Sequence, residues 1–183
     1  IDTLQGRLDA GVHSERADAR HSLDMVVLAA RRRSQQRLTG RAAAIEVEVI
    51  SEGDVEIRGD GDALTEAVAA LIDNACEATA LLPGDRRCVT LSLRHVDATQ
   101  WTLTVHDQGP GLEPGITERV GTAFFSRKPG HLGLGTFLCR RTLQRHGLEV
   151  DVANAPSGGV VATIRGRRLP SQHGRQYPSG GQS

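Results

Sequence analysis

An amide in the middle of a helical pattern is the first residue of this 183-residue chain suited to ligand chemistry. Asn74 shares one face of that pattern with residues that are all apolar: Ala67, Ala70, Leu71, Ala75 and Ala78. A buried carboxamide needs a hydrogen-bond partner, because leaving it without one costs free energy. Its carbonyl oxygen also suits a hard cation such as Mg²⁺. The pattern leaves two interpretations open: an amide bonded to backbone, or a metal ligand.

A second cluster ends an apolar strand. Asp107 is followed by Gly109 and Gly111. A carboxylate at this place can accept a hydrogen bond from an exocyclic amine, and the glycines allow the backbone to approach a flat ring closely. The same motif is also a common turn, so by itself it does not separate a turn from a ligand site.

Further along, glycines lead into a helix. The run from Gly130 to Thr136 contains Gly133, Leu134 and Gly135. Backbone N–H groups before a helix can bind an anion, and phosphate is the natural candidate. The spacing is not that of a Walker-type P-loop, and no βαβ unit surrounds it as a dinucleotide-binding fingerprint requires.

The loop between these two glycine clusters carries the only Lys and two of the three Phe residues. Phe124, Phe125 and Lys128 lie close together there. Aromatic side chains can hold a lid against a domain, and Lys128 can pair with phosphate. The alternative is a solvated basic turn.

The patterns around these residues predict the elements that position them. Alternating residues predict strands at 45–49, 55–57, 89–93 and 101–105 and a final hairpin at 150–152 and 160–164, and helical spacing predicts helices at 63–82 and 134–146. This order predicts an α+β fold, with a mixed β-sheet and helices on one face. The long segment 107–135 has no regular pattern, which is typical of a binding loop.

Both ends of the chain differ from this central part. Residues 1–41 have helical spacing, but their apolar stripe is narrow, so we expect a partner helix from upstream or from a second copy. Residues 168–183 are polar and predicted to be disordered.

Composition excludes several classes of protein. Residues 42–164 carry 10 basic and 17 acidic side chains, an acidic balance that argues against a nucleic-acid partner. The three cysteines lack the paired spacing of a disulfide framework or a zinc site. No apolar run is long enough to span a membrane, so we expect a membrane link only through segments upstream of Ile1.

Taken in order, the motifs resemble those of the ATP-binding catalytic domain of sensor histidine kinases, within the GHKL superfamily that includes gyrase, MutL and the heat-shock chaperone ATPases. The resemblance covers about residues 45–165. Residues 60–75 are similar to the N box, 107–111 to the G1 box, 124–128 to the F box and 133–135 to the G2 box. It implies a two-layer fold of the Bergerat type preceded by a helical segment.

The same resemblance implies ATP and Mg²⁺ as cofactors. Asn74 would bind the metal, and Asn74 and Lys128 would be the catalytic residues. The nucleotide-binding residues would be Asn74, Asp107, Gly109, Gly111, Phe125, Lys128, Gly133, Leu134, Gly135 and Thr136, under a lid of about residues 109–132.

A division of the chain and a set of partners are implied as well. Residues 1–41 would be the end of a dimerisation and phosphoacceptor hairpin, 42–167 the ATP-binding catalytic domain and 168–183 a tail. The γ-phosphoryl group of ATP would pass to a histidine on the dimerisation domain and then to a response regulator. We expect a homodimer through residues 1–41 and an upstream helix, and a cytoplasmic domain in a protein anchored to the inner membrane.

Some positions depart from the family pattern. Ala70 stands where many kinases have a second Asn and related ATPases have a catalytic Glu, and Glu77 stands where many kinases have a basic residue. Neither His13 nor His21 has the acid and proline that follow a phosphoacceptor histidine. Two alternatives therefore remain: a serine kinase of the anti-sigma-factor type, and a nucleotide-binding or dimerisation module without kinase activity.

Overall fold

The computed structural model describes residues 19–83, 87–113, 115 and 135–170. Along the chain the elements are β1 (Arg20–Ser22), α1 (Leu23–Arg37), α2 (Gly40–Ala43), β2 (Glu46–Ser51), β3 (Glu56–Arg58), α3 (Gly61–Ala80), β4 (Cys88–His95), β5 (Gln100–His106), α4 (Gly135–Arg145), β6 (Glu149–Asn154) and β7 (Val160–Arg167). Within the described residues, every strand and helix predicted for the central part is present, with bounds shifted by one to three residues at most ends.

Five strands form the main sheet in the order β2-β4-β5-β7-β6, and β1 pairs with β3 in a separate two-stranded sheet. β2 runs parallel to β4, while the other neighbouring strands in the main sheet are antiparallel. The prediction of an α+β fold with a mixed sheet is therefore confirmed.

One face of the main sheet packs against the helices. Along β4 the side chains of Val89, Leu91 and Leu93 are buried, whereas Thr90 and Ser92 on the opposite face are only partly buried. Val105 and Leu103 of β5 continue the buried face. Alternation with a period of two produces this division, because successive side chains of a strand point to opposite faces.

Helix α3 lies at the centre of the helical layer. Asp60 is its N-cap, and the carboxylate accepts hydrogen bonds from the backbone N–H groups of Asp62 and Ala63, both at 3.0 Å. These bonds satisfy two of the backbone donors that a helix start leaves without partners. Buried residues occur along α3 from Leu64 to Thr79, and the helix packs against β4 and β5 as well as against α1 and α4.

The N-terminal region differs from the prediction. Residues 20–22 form strand β1, and Ser22 caps α1 by accepting a hydrogen bond from the Met25 N–H. Helix α1 packs against α3 of the same chain, and four of its residues belong to the same core cluster as α3: Leu23, Val26, Val27 and Ala30. One core cluster therefore includes described residues on both sides of the expected boundary between residues 41 and 42. The narrow apolar stripe of α1 suffices because the wide apolar face of α3 covers it.

Arginines of α1 also pair with acids of α3. Arg33 and Arg37 both contact the Glu66 carboxylate, and Arg37 reaches Asp73 at 2.8 Å. The hydrogen bond from Arg37 lowers the pKa of Glu66, and Arg33 acts in the same direction, while partial burial opposes them.

Several predictions concern residues outside the described part of the chain. These are the helical spacing in residues 1–18, most of the lid at 109–132 and the tail from residue 171 onward. The short helix α2 had no counterpart among the predictions; it begins at Gly40, whose φ of 59° is in the left-handed region that favours glycine.

Candidate nucleotide-binding site

A cavity of about 160 Å³ lies between α3 and the strands β5, β6 and β7. Its lining residues are Leu71, Asn74, Ala75, Ala78, Val105, Asp107, Leu112, Thr136, Val152, Val160 and Ala162. Small apolar side chains therefore form most of the wall, with only a few polar groups to orient a ligand. A cavity of this size and lining suits a flat ring system rather than a whole nucleotide.

Among the described residues that line the cavity, Asp107 is the only acidic one, and it is 5% exposed. One carboxylate oxygen, Oδ1, accepts hydrogen bonds from the backbone N–H groups of Gly109 at 2.8 Å and Val160 at 3.1 Å. Two fixed donors on one oxygen hold the carboxylate in a single orientation. Carboxylate oxygens accept hydrogen bonds from N–H groups, so an acid at this place in the lining suits an amine donor of a ligand.

Two glycines allow the backbone to close around Asp107. A Cβ atom on Gly109 would lie 2.9 Å from backbone atoms of Ala78 on α3. Gly159 has a φ of 75°, and a Cβ atom there would overlap the carbonyl oxygen of Asp107. Gly159 lies in the turn of the predicted final hairpin, and its contact with Asp107 gives that turn a role in shaping the cavity.

Asn74 faces the same cavity from α3. Its side-chain N–H donates to the hydroxyl oxygen of Thr136 at 3.3 Å, and Thr136 lies in the first turn of α4. The structure thus brings together three residues that are far apart in sequence, Asn74, Asp107 and Thr136. Gly135 begins α4 beside them. Four predicted site residues lie outside the described part of the chain: Phe125, Lys128, Gly133 and Leu134.

Sequence reasoning missed a clamp at the edge of the site. Asn154, at the end of β6, accepts from the Leu112 N–H at 2.6 Å and donates to the Leu112 carbonyl at 2.8 Å. This amide holds the backbone just after Gly111, whose φ is 80°. The available signal was a polar residue ending an alternating strand, which does not reveal a partner 42 residues away in the chain.

Thr79 was missed as well. It is fully buried on α3, and its hydroxyl oxygen accepts a hydrogen bond from the Gln108 N–H at 3.1 Å. The backbone of Gln108 and Gly109 is therefore held against α3, by this bond and by the close approach to Ala78.

The two positions that depart from the family pattern do not line the cavity. Ala70 is partly buried and packs against the core, and Glu77 is partly buried on α3. Cys76 is fully buried, and burial, with smaller contributions from Asp73 and Glu77, raises the pKa of its thiol to about 12. The thiol is therefore protonated at neutral pH, which makes it unreactive toward oxidants.

A divalent cation would find few protein ligands here. In the part of the chain that the structure describes, no group of three or more His, Cys, Asp or Glu side chains could hold a metal ion. Mg²⁺ is commonly bound through one or two protein oxygens together with substrate phosphates and water. The Asn74 amide, beside Thr136 at the start of α4, fits that mode of binding.

Comparison with known proteins defines the class. Residues 59–170 match the family described as histidine kinase-, DNA gyrase B-, and HSP90-like ATPases. The chain belongs to this family, and the matched segment contains Asn74, Asp107, Gly109, Gly111 and Thr136.

Its relatives in sequence are sensor kinases. The chain is 32% identical over 148 residues to the signal transduction histidine-protein kinase/phosphatase MprB of Mycolicibacterium smegmatis, covering 75% of this chain and 29% of MprB. It is 30% identical over 129 residues to the C4-dicarboxylate transport sensor protein DctB of Rhizobium meliloti, covering 70% of this chain and 20% of DctB. The chain therefore spans less than a third of the length of these relatives.

Solved structures agree with this family. The mycobacterial sensor histidine kinase MprB superposes with a TM-score of 0.72 at 26% identity, covering 85% of this chain and all of that chain. The catalytic domain of histidine kinase ThkA superposes with a TM-score of 0.68 at 20% identity, covering 82% and 95% of the two chains, and shows the shared fold. None of the helices in the described residues is long and apolar enough to cross a membrane.

Proposed function

We propose that this chain is the ATP-binding catalytic domain of a sensor histidine kinase, and that it transfers the γ-phosphoryl group of ATP to a histidine. One observation carries the proposal: the apolar cavity is lined by a buried carboxylate, Asp107, and by the Asn74 amide. Asn74 belongs to α3, and its side chain lies beside the start of α4. The first group suits an adenine amine and the second suits a magnesium-bound phosphate. Family membership and the sensor-kinase relatives support this function.

The adenine end of the site would be the described cavity. The ring would lie between the apolar side chains of α3 and those of β5 and β7, with the Asp107 carboxylate accepting from its exocyclic amine. Guanine carries a carbonyl oxygen at the corresponding ring position, which would face this carboxylate. The site is therefore expected to prefer adenine nucleotides.

The phosphate end would begin at Asn74 and Thr136. The Asn74 amide oxygen would hold Mg²⁺, which when bound neutralises charge on the phosphates. We further propose that Phe125, Lys128, Gly133, Leu134 and Gly135 complete this end, with Lys128 approaching the terminal phosphates. Because Ala70 carries no base that could activate water, we expect slow hydrolysis of ATP in the absence of a phosphoacceptor.

In the transfer step, the bond between the γ-phosphorus and the bridging oxygen of ATP would break, and a phosphorus–nitrogen bond to the histidine would form. ADP is the leaving group. The phosphoryl group would then pass to an aspartate of a response regulator. The homodimer, the response regulator and the cytoplasmic location next to an inner-membrane anchor are parts of the same proposal, which concerns the longer protein to which such a domain belongs.

We also propose a different domain boundary from the one expected at residue 42. The core of the described residues includes α1, and β1 pairs with β3, so the catalytic domain would begin near residue 19. The superposition on the mycobacterial MprB chain supports this, because it covers 85% of the present chain, more than residues 42–167 alone would provide.

Nucleotide binding is tested by titrating a fluorescent ATP analogue into this chain with and without Mg²⁺, and by displacing it with ATP and GTP. Tighter binding with Mg²⁺ and preference for ATP are expected. Absence of binding at millimolar nucleotide would refute both kinase interpretations and leave the dimerisation module.

Phosphoryl transfer is tested with radiolabelled ATP and the full-length protein. Phosphate that is labile in acid and stable in base identifies phosphohistidine. Phosphate that is stable in acid would instead identify the serine kinase of the anti-sigma-factor type.

A further inference from the structure

Helices α3 and α4 run antiparallel and are joined by polar contacts at successive levels. At the nucleotide end, Asn74 bonds to Thr136 at 3.3 Å. One level further from the site, the Cys139 thiol donates to the Ala67 carbonyl at 3.2 Å. The first contact is long and the second uses a thiol, which is a weak donor. Cys139 and Leu143 of α4 are also buried in the core that α3 shares, and a third polar contact lies at the far end of the helix pair.

The third contact involves His146, the residue directly after α4. Its ring nitrogen Nε2 accepts a hydrogen bond from the Asp60 backbone N–H at 3.1 Å, and its Nδ1 lies 2.7 Å from the carbonyl oxygen of Thr142. A backbone N–H can only donate and a carbonyl can only accept. Both contacts are hydrogen bonds when Nδ1 carries a proton and Nε2 is the acceptor.

The ring fits closely against the turn that begins α3. Gly59 has a φ of 146°, and a Cβ atom there would overlap the His146 imidazole. On the other side of the turn, Nε2 of His21 lies 2.9 Å from the Gly59 carbonyl, and a Cβ on Gly61 would lie 2.7 Å from the His21 ring. The Asp60 turn thus lies between two imidazoles, and His146 connects it to α4.

We propose that His146 is a positioning residue: by holding the end of α4 to the N-cap of α3, it keeps Thr136 beside Asn74 at the phosphate end of the site. This inference rests on the proposed nucleotide-binding function. The adenine end depends less on α4: among the described residues that line the cavity, only Thr136 belongs to α4, and the Asp107 carboxylate accepts from the backbone N–H groups of Gly109 and Val160. Loss of His146 should therefore affect phosphate binding and leave adenine binding intact.

The test compares adenosine with Mg-ATP in His146→Ala and His146→Gln. Adenosine binding is followed by NMR chemical-shift changes and Mg-ATP binding by displacement of the fluorescent analogue. In His146→Ala we expect the Kd for Mg-ATP to rise about 5–30-fold, the loss typical of one buried hydrogen bond, and the Kd for adenosine to change less than about twofold. His146→Gln supplies an acceptor at similar reach and should restore most of the Mg-ATP affinity. Gln144→Ala, at an exposed position of α4, is the matched control.

In His146→Ala, equal weakening of adenosine binding and Mg-ATP binding, or no change in either, would overturn the positioning role. The proposed function would still stand in that case if the wild-type chain binds both ligands. A wild-type chain that binds neither ligand would overturn both. Should His146→Ala fail to fold, ¹⁵N NMR of the histidine rings in the wild-type chain decides instead, with His146→Gln used for assignment. A neutral ring protonated on Nδ1 supports the proposal, and a ring protonated on Nε2 contradicts it.

Discussion

At the scale of single residues, the candidate site depends on two polar side chains in an apolar cavity. Asp107 is held by two backbone donors, and Asn74 is linked to Thr136. A polar group that is fixed in an apolar environment discriminates strongly between ligands, because a ligand without the matching donor or acceptor leaves it without a partner.

Replacing Asp107 by Asn should weaken ATP binding by about 10–100-fold, the range for a hydrogen bond to a charged group. The amide retains an acceptor for the Gly109 and Val160 N–H groups, but its own NH₂ would meet the adenine amine as a second donor. Titration of ATP and GTP measures the change, which should reduce the preference for ATP.

The control for this change is Asp151→Asn, at an exposed position of β6, and its ATP affinity should equal that of the wild type. An Asp107→Asn variant that loses ATP and GTP affinity to the same extent would argue against contact between this carboxylate and adenine.

Replacing Asn74 by Ala should remove the increase in ATP affinity that Mg²⁺ provides. In the presence of Mg²⁺ we expect ATP binding to become about 10–100-fold weaker, which is the range for the loss of one hydrogen bond to a charged group. Little change is expected in EDTA, because the proposed acceptor of the adenine amine is Asp107 and not this amide. Fluorescent-nucleotide titrations under the two conditions make the comparison within one variant, and an equal loss in both would exclude Asn74 as the metal ligand.

At the scale of elements, α1 and α3 combine apolar packing with ion pairs. Arg37 and Arg33 lower the pKa of Glu66 from its ordinary value of 4.5. A carboxyl group whose pKa is lower in the folded state stabilises that state at pH values above its unfolded pKa, and the contribution disappears as the pH falls through the folded pKa.

We therefore expect Glu66→Gln to lower the free energy of unfolding at pH 7 by less than about 1 kcal/mol, because the carboxylate is half exposed and screened by solvent. The difference from the wild type should shrink as the pH falls below 4.5. Urea unfolding at pH 7 and at acidic pH measures it, with Glu46→Gln, an exposed acid of β2, as control. A difference that grows on acidification would contradict the assigned direction of the pKa shift.

At the scale of the whole molecule, one core extends from α1 through α3 to the sheet. Leu23 is 2% exposed and Met25 is 65% exposed on the same helix. If α1 belongs to the catalytic domain, Leu23→Ala should lower the free energy of unfolding by about 2–5 kcal/mol, and Met25→Ala should change it by less than about 0.5 kcal/mol.

Unfolding of both variants is followed by circular dichroism and by nucleotide-analogue fluorescence. Loss of Leu23 should shift both signals together, since the helix and the site share one core. A shift in helicity with unchanged nucleotide binding would indicate that α1 is a separate unit.

The sequence by itself predicted the strands and helices of the central part, but not β1 or α2, and it singled out Asn74, Asp107 and Thr136 of the cavity lining. Local patterns can be recognised from the sequence because they extend over only a few residues. Examples are the period-two alternation at 89–93 and 101–105, the apolar face around Asn74 and the glycines after Asp107. Only the tertiary structure decided which distant groups meet: Asn154 with Leu112, His146 with Asp60, and α1 with α3 of the same chain. Those contacts span tens of residues, and a polar side chain or a narrow apolar stripe indicates that a partner is needed without identifying it. The partner is chosen when the sheet and helices pack, because only the packed chain brings the matching donor, acceptor or apolar face within reach.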